Sequence, residues 1–389
     1  MTISIDTNST TFIISGSIDE ILSNKRYERW FRANHAVFQN NQIIIPFSTE
    51  ENPSKFPSRD QQYAVILRLF DKIGINTKDI GYSAEAGAQL EIMRSEEKSF
   101  KLHSIKANDV RNGNFEGEEL NIFSKKIDET LKIQLTPRQR VAAFHLAFSQ
   151  NACNFSTPGT GKTAMVYAAY SYLKSLDEDN SKHVSRILII SPLAAFAAWE
   201  DEFVKWLGRE PTSKRLAGLN SQSRKSTYYS EEDIELLMTS YQSAANPDDV
   251  LGIIEYLSKH NTMVVIDEAH RIKSLNGLWA QAVLSIAKYA SSRVVLTGTP
   301  APYGYQDIYN LFRFIWPTKK IISFSPGLLE SLNELRTRHQ RESVQTLINE
   351  ISPYFIRIKK SHLNLPVPVE HQPIIIQMND NHREIYELL

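Results

Sequence analysis

From about residue 134 onwards, short apolar runs alternate with longer amphipathic segments. Each apolar run is bounded by polar residues, which is typical of a buried strand in a parallel sheet. The predicted strands are 153–155, 187–190, 234–238, 263–266 and 294–296. Helices separate the strands, and one begins clearly at Asn246, with Pro247 in its first turn. The alternation predicts a doubly wound parallel α/β sheet, whose ligands bind at the carboxyl ends of the strands.

The first 95 residues follow a different pattern and predict a separate small α+β domain. We predict a strand at 10–14, a helix that opens on a capping box of Ser17 and Glu20, a hairpin over 37–45 and a helix over 58–73. This βαββα order contains no catalytic cluster.

Domain boundaries follow from these changes of pattern. The accessory domain spans 1–95, and 96–133 is a polar connector because asparagines and glycines interrupt its periodicity. The large α/β domain spans 134–317, and 318–389 is a helical extension that ends in a linker.

Composition narrows the class of protein. The 389 residues contain a single cysteine, so no internal disulfide can form, and the formal net charge is zero. No basic arm and no membrane-length apolar stretch occurs. We therefore expect a soluble intracellular protein, cytoplasmic if bacterial and nuclear if eukaryotic, with no membrane partner. Any nucleic acid must be held by local contacts, because the bulk charge would not attract it.

A phosphate-binding loop follows the first predicted strand of the large domain. The sequence Pro158-Gly159-Thr160-Gly161-Lys162-Thr163 opens a helix, so its backbone N–H groups can surround the phosphates of ATP. Lys162 adds a positive charge, and Thr163 is the predicted ligand of Mg²⁺. A loop that merely enters a helix is the alternative for this motif taken alone.

Two carboxylates follow the apolar run 263–266. Asp267 is predicted to serve the metal, and Glu268 to polarise the attacking water. The order of this pair and the preceding loop on an α/β pattern predicts an ATP site with Mg²⁺. Taken alone, the pair could be a solvated helix start after a buried strand.

Gln139 lies upstream of the loop, and its amide can read the edge of adenine. The same residue sits in the first turn of a helix that begins at Thr136 and Pro137. Recognition of adenine by Gln139 and an ordinary helix start capped by Thr136 are compatible, so both interpretations stay open.

Hydroxyl-bearing residues follow three further strands. Thr297, Gly298 and Thr299 form a turn where two hydroxyls can approach Glu268 or the γ-phosphate. At the other two strand ends, hydroxyls and N–H groups could contact a phosphate backbone, with plain strand-to-helix capping as the alternative. The residues concerned are Ser191, Pro192, Thr239 and Ser240.

Together these stretches resemble the first motor lobe of the Swi/Snf-type ATPases of helicase superfamily 2, a P-loop NTPase fold of the RecA-like type. The matching blocks are 189–193, 199–206, 239–241, 267–273, 296–300, 309–317 and 355–366. The likeness covers roughly residues 134–389. The blocks 199–206 and 312–317 favour this family over other superfamily 2 proteins that share the Asp-Glu-Ala-His tetrapeptide.

The resemblance implies roles for individual residues. It implies ATP and Mg²⁺ as ligands, with adenine read by Gln139 and the phosphates held by Lys162 and Thr163. It also implies a path for double-stranded DNA along residues 191–192 and 239–240, coupled to the nucleotide by 297–299. Trp199, Phe203 and Trp206 recur at helical spacing and are predicted to be core residues.

Two departures from the family limit the expected activity. The usual family sequence of this loop is Asp-Glu-Met-Gly-Leu-Gly-Lys-Thr, whereas this loop begins with Ser156, Thr157 and Pro158. No second alternating lobe and no Gln-x-x-Gly-Arg stretch follows Trp316. Because arginine fingers contribute about 10³–10⁵ in rate, the chain alone is expected to bind ATP weakly and hydrolyse it poorly. A second RecA-like lobe is therefore a predicted partner.

The leading hypothesis is an ATP-dependent double-stranded-DNA translocase in bacterial DNA maintenance or antiviral defence against phage. A strand-separating helicase or a restriction-type motor subunit is one alternative, and a non-hydrolytic nucleotide-binding scaffold is another. Residues 1–95 could steer DNA, dock a protein partner or restrain the motor.

Overall fold

A computed structural model describes residues 3–7, 11–16, 18–33, 35–46, 80–84, 86–88, 91, 100, 105, 109, 117–334, 337–362 and 377–388. Among these residues, no helix is both long enough and apolar enough to cross a bilayer. The predicted cap at Ser17, the predicted helix at 58–73 and part of the linker lie outside the described residues.

Five strands in the described part of the N-terminal region form one mixed sheet, in the order β3-β4-β2-β1-β5. Its elements are β1 (Ile3–Thr7), β2 (Thr11–Gly16), α1 (Ile18–Leu22), α2 (Lys25–Ala33), β3 (Val37–Gln39), β4 (Gln42–Pro46) and β5 (Ile80–Tyr82). The predicted strand, helix and hairpin are present. The predicted βαββα order was incomplete, because β1 precedes the predicted first strand and β5 pairs beside β1.

The hairpin between β3 and β4 turns on two asparagines with left-handed backbone. Asn40 and Asn41 have φ values of 50° and 60°, which a two-residue type I′ turn requires. Along β2 and β4, every second side chain points into the core, including those of Phe12, Ile14 and Ile43. The sheet is therefore buried on one face, as an amphipathic strand pattern predicts.

A seven-stranded sheet forms the core of the large domain, in the order β12-β6-β11-β10-β7-β9-β8. Its strands are β6 (Asn151–Asn154), β7 (Arg186–Ile190), β8 (Ser213–Arg215), β9 (Leu236–Thr239), β10 (Thr262–Ile266), β11 (Ser292–Leu296) and β12 (Phe355–Ile356). Every neighbouring pair is parallel. The central strands are buried along their whole length, which explains their unbroken apolar runs.

Helices alternate with these strands and fall into two mutually packed groups, α3–α6 and α7–α11. The helices of this unit are α3 (Gly117–Thr130), α4 (Pro137–Ser149), α5 (Lys162–Lys174), α6 (Phe196–Leu207), α7 (Ser221–Tyr229), α8 (Tyr241–Ala244), α9 (Pro247–Lys259), α10 (Leu278–Ala287), α11 (Tyr309–Ile315), α12 (Pro326–Ser331) and α13 (Arg338–Ile351). A further helix, α14 (Asp380–Leu388), belongs to the second unit, which begins at Lys359. Asn246 caps α9 through a hydrogen bond to the Asp248 N–H, as its sequence predicts. This is the doubly wound, RecA-like α/β architecture predicted from the sequence.

The structure adds elements to the segments on both sides of the predicted lobe. Helix α3 lies in the predicted connector and packs its Phe123 ring against Phe144 of α4 and Tyr172 of α5. Strand β12 adds to the sheet edge beside β6, so the compact unit continues to Ile358, and residues 359–389 form a second unit. A strand of two residues is too short to show a hydrophobic periodicity, so the sequence could not predict it.

We expect the central strands to carry much of the stability of the large domain. Leu188 on β7 is fully buried, so Leu188→Ala should lower the free energy of unfolding by about 2–5 kcal/mol. Urea denaturation followed by circular dichroism measures the change.

Leu251→Ala is the matched control, because the Leu251 side chain on α9 is 63% exposed. It should change the unfolding free energy by less than about 0.5 kcal/mol. Equal losses in the two variants would contradict the assignment of β7 to the core.

Candidate nucleotide site

The phosphate-binding loop joins β6 to the start of α5 at one end of the parallel sheet. Gly159 and Gly161 adopt φ values of 80° and 82°, which side-chain-bearing residues rarely reach. No side chain caps the first turn of α5, where Lys162 and Thr163 lie. The backbone N–H groups and the positive end of this helix are therefore placed to hold an anion.

Lys162 lies close to both predicted catalytic carboxylates. Its Nζ donates a hydrogen bond of 3.2 Å to the carbonyl oxygen of Ser156. Burial lowers the pKa of the Lys162 ammonium, while the charges of Glu268 and Asp267 act in the opposite direction. The structure thus brings together the lysine and the carboxylate pair, although about a hundred residues separate them in the sequence.

Asp267 follows β10 and is held by hydrogen bonds on both of its carboxylate oxygens. Its Oδ1 accepts from the Glu268 N–H at 2.8 Å, and its Oδ2 accepts from the Trp199 indole N–H at 3.1 Å. Burial raises the pKa of the Asp267 carboxyl, and these two hydrogen bonds offset part of that rise. The side chain is therefore oriented before any metal binds.

Glu268 stands in a strained backbone conformation at the start of a 3-10 turn. Its φ is 50°, in the left-handed region that non-glycine residues seldom occupy. Its half-exposed carboxylate pairs with His270, with 3.4 Å between Oε2 and Nδ1. The carboxylate of Glu268 is therefore open to solvent.

The turn that contains Thr297, Gly298 and Thr299 touches both halves of the site. Thr297 Oγ1 lies 3.5 Å from His270 Nδ1 and accepts a hydrogen bond from the Thr299 N–H. Gly298 lies so close to the loop that an added Cβ would come within 2.8 Å of the Pro158 Cδ. The predicted coupling residues therefore contact the carboxylate motif and the phosphate-binding loop at once.

Gln139 caps α4 and also reaches the phosphate-binding loop. Its Oε1 accepts from the Thr136 N–H at 3.0 Å, and its Nε2 donates to the carbonyl oxygen of Thr160 at 2.9 Å. Both ends of the amide are thus engaged within the protein, and adenine would have to replace one of these bonds. The helix start predicted at Thr136 and Pro137 is present, with Thr136 as the cap of α4, and recognition of adenine by Gln139 stays a prediction.

The four residues proposed for a DNA path differ in exposure. Ser191 and Thr239 are fully buried in this arrangement, and their contact with DNA stays a prediction. Thr239 ends β9 inside the sheet, and the Ser191 N–H donates to the Thr239 carbonyl oxygen at 3.1 Å. Pro192 is half-buried, and Ser240 caps α8 by accepting from the Ser243 N–H.

The aromatic residues of α6 are core residues, as predicted. Trp199, Phe203 and Trp206 are all buried. Sequence spacing did not reveal that Trp199 also reaches Asp267, because the two residues lie 68 positions apart. Tyr241 was missed as well, and its hydroxyl donates to the Asp267 carbonyl oxygen at 2.7 Å.

The residues present suit a magnesium ion that is carried in with a nucleotide. No group of three or more His, Cys, Asp or Glu side chains within the described part of the chain could hold a metal by itself. Mg²⁺ is commonly bound by one or two carboxylates together with the phosphates of its substrate. Asp267 and the Thr163 hydroxyl are the oxygen ligands that the sequence predicts for such an ion.

Residues 139–389 match the family model described as SNF2-related domain. The chain belongs to the SNF2-related family. The family confirms the likeness to the Swi/Snf-type ATPases of helicase superfamily 2 that the sequence blocks predicted. The bacterial setting stays a prediction.

Several curated proteins share this SNF2-related region. Helicase SWR1 of Gibberella zeae is 26% identical over 260 residues, which are 62% of this chain and 14% of that protein. TATA-binding protein-associated factor MOT1 of Saccharomyces cerevisiae is 28% identical over 247 residues, which are 59% of this chain and 13% of the length of MOT1. DNA repair and recombination protein RAD54-like of Drosophila grimshawi is 25% identical over 241 residues, which are 56% of this chain and 29% of the length of that protein. The chain spans less than a third of the length of each of these relatives.

Among solved structures, the SWI2/SNF2 ATPase core of Sulfolobus solfataricus in complex with dsDNA is 23% identical, with a TM-score of 0.48. That match covers 60% of this chain and 47% of the other. The core domain of the same protein gives 23% identity and a TM-score of 0.47.

The close approach of Gly298 to the phosphate-binding loop can be tested by stability measurements. Gly298→Ala places a Cβ against the Pro158 ring, which has no flexible end that could move aside. We expect the free energy of unfolding to fall by about 1–3 kcal/mol, as for other overpacked positions, in urea denaturation.

Gly327→Ala in α12 is the matched control, because its new Cβ would meet nothing within 4 Å. Alanine favours a helix over glycine, so this variant should be neutral or slightly more stable. Two variants of equal stability would show that the turn does not press on the loop.

Proposed function

We propose that this chain is the accessory domain and ATP-binding lobe of an ATP-dependent double-stranded-DNA translocase. The observation that carries the proposal is the meeting of Lys162, Asp267 and Glu268 at one end of the parallel sheet. A lysine in a phosphate-binding loop beside two carboxylates is the arrangement that phosphoryl-transfer enzymes use for ATP and Mg²⁺. Membership in the SNF2-related family supports DNA as the polymer on which the motor acts.

In this proposal each part of the site has one task. The loop from Pro158 to Thr163 holds the phosphates, with Lys162 as the charged contact. Asp267 and the Thr163 hydroxyl hold Mg²⁺, which neutralises charge on the phosphates when it is bound. Glu268 orients and polarises water, and its exposed carboxylate leaves room for that water.

The residues around Thr297 are the proposed link between the nucleotide and DNA. A phosphate that draws Lys162 away from the Ser156 carbonyl would disturb the loop on which Gly298 rests. Through Thr297 and His270, that disturbance reaches Glu268. Pro192 and Ser240 are the proposed DNA contacts, because they are less completely buried than their neighbours Ser191 and Thr239.

Rapid hydrolysis is proposed to need a second RecA-like lobe. All groups assigned to ATP above come from segments of one parallel α/β sheet. An arginine finger supplied from the other side is worth about 10³–10⁵ in rate. The chain itself is therefore proposed to bind ATP and to hydrolyse it slowly.

Nucleotide binding is tested directly on this chain. Lys162→Ala should weaken the affinity for a fluorescent ATP analogue in Mg²⁺ by about 10-fold or more, since a charge-assisted contact to phosphate is lost. Titration followed by fluorescence anisotropy measures the dissociation constant.

Lys259→Ala is the control variant. Lys259 is exposed and pairs with Glu255 on α9, so its removal should leave nucleotide affinity unchanged. Equal affinity of wild type and Lys162→Ala would contradict the assignment of the loop.

The choice of polymer is tested on the longer protein that contains this lobe. We expect double-stranded DNA to stimulate ATP hydrolysis, RNA to have no effect, and Glu268→Gln to reduce the stimulated rate by about 10² or more through loss of the water-polarising carboxylate. A coupled phosphate-release assay with each nucleic acid in turn measures the rates.

The same protein distinguishes the other two functions. Displacement of a strand from a duplex during hydrolysis would identify a strand-separating helicase. ATP binding without hydrolysis on any nucleic acid would identify a nucleotide-binding scaffold.

A further inference from the structure

The indole of Trp199 bridges α6 and the carboxylate that ends β10. Its ring is buried, with 2% of the residue exposed, and its N–H donates to Asp267 Oδ2 at 3.1 Å. Packing alone does not require this nitrogen, because a phenyl ring would also fill an apolar space. The hydrogen bond is therefore a separate feature from the core role of the ring.

The bond leaves the Asp267 carboxylate usable as a metal ligand. Each carboxylate oxygen has two acceptor positions. The Trp199 N–H occupies one position on Oδ2, and the Glu268 N–H occupies one on Oδ1. One position on each oxygen remains, and the rotation of the group is restricted because each oxygen already accepts from one donor.

Trp199 is itself held in place by the helix that begins in the phosphate-binding loop. Tyr167 of α5 donates its hydroxyl to the Trp199 carbonyl oxygen at 2.5 Å. The two rings also meet edge to face, with centroids 5.5 Å apart and an interplanar angle of 83°. A chain of contacts thus runs from α5 through Trp199 to Asp267, which ties the position of the carboxylate to the helix that carries Lys162 and Thr163.

We propose that Trp199 is a positioning residue, whose indole N–H holds the Asp267 carboxylate in the orientation that receives the Mg²⁺ bound with a nucleotide. This inference rests on the proposed function, because it needs Asp267 to serve the metal. Hydrogen-bond partners behind a metal ligand typically matter by about 10–100-fold in metal affinity. A loss of metal affinity of that size would distinguish a positioning role of Trp199 from a role in packing alone.

The same helix offers a matched control. The Trp206 indole N–H also donates to a carboxylate, Glu202 Oε2, at 2.5 Å. Glu202 lies one turn away on α6 itself and is not among the groups assigned to the nucleotide. Removal of that N–H tests the general cost of losing an indole–carboxylate bond from α6.

The experiment compares Trp199→Phe, Trp206→Phe and wild type in the binding of Mn²⁺ at saturating ADP, followed by the electron paramagnetic resonance signal of free Mn²⁺. We expect Trp199→Phe to weaken metal binding by about 10-fold, as for other partners of metal ligands, and Trp206→Phe to leave it unchanged. ADP affinity in EDTA should be the same in all three proteins. Unchanged metal binding in Trp199→Phe would overturn the inference.

A second substitution removes the N–H without disturbing the core. Benzothienylalanine at position 199 keeps the two-ring shape of tryptophan and replaces only the N–H by sulfur, so the buried packing is preserved even if phenylalanine unfolds the chain. It should reproduce the loss of metal affinity, and full metal affinity in this protein would overturn the inference.

The same data separate this inference from the proposed function. If wild type shows no gain in nucleotide binding from metal, the proposed function fails. If metal strengthens nucleotide binding in wild type and equally in both proteins altered at position 199, the proposed function stands and only the positioning role of Trp199 is contradicted. In Asp267→Asn, the Trp199→Phe change should have no further effect on metal binding, because its only route is through that carboxylate.

Discussion

The site depends on the in-register parallel pairing of β6, β7, β10 and β11. Ile266 at the end of β10 pairs with Ile190 of β7 and with Val295 of β11, so the strands stop at one edge. The ladder continues one step further, where the Asp267 N–H donates to the Ile190 carbonyl. Because parallel strands share one direction, every segment that follows a strand leaves at this edge. A register shift by one residue would turn Asp267 to the other face of the sheet.

Hydrogen bonds and close contacts between the segments that follow these strands join them into one site. The loop carbonyl of Ser156 holds Lys162, and the Asp267 carboxylate is held from two sides. Gly298 allows the next strand end to rest directly on Pro158. In a largely buried setting such bonds fix orientation, because a polar group that loses its partner there has no water to replace it.

At the edge of the sheet beside β6, a segment that is distant in the sequence contacts the first residues of the phosphate-binding loop. The Ser156 hydroxyl accepts from the Ile358 N–H at 2.9 Å, and the Thr157 N–H donates to the Ile358 carbonyl at 3.1 Å. These are residues at which the loop departs from the usual family sequence. The divergent front of the loop is therefore occupied in structural contacts, while the phosphate-binding end keeps the family pattern.

Local patterns in the sequence determined the strands β6, β7, β9, β10 and β11, the helix caps at Asn246 and Thr136, and the order of the two ATP motifs. These features depend on residues within one turn or one strand, so short-range chemistry is enough to predict them. Only the tertiary structure decided that Ser191 and Thr239 are buried, that the Gln139 amide is engaged at both ends, and that Trp199 reaches Asp267. Each of these outcomes is set by packing between segments far apart in the chain, which periodicity and spacing do not encode.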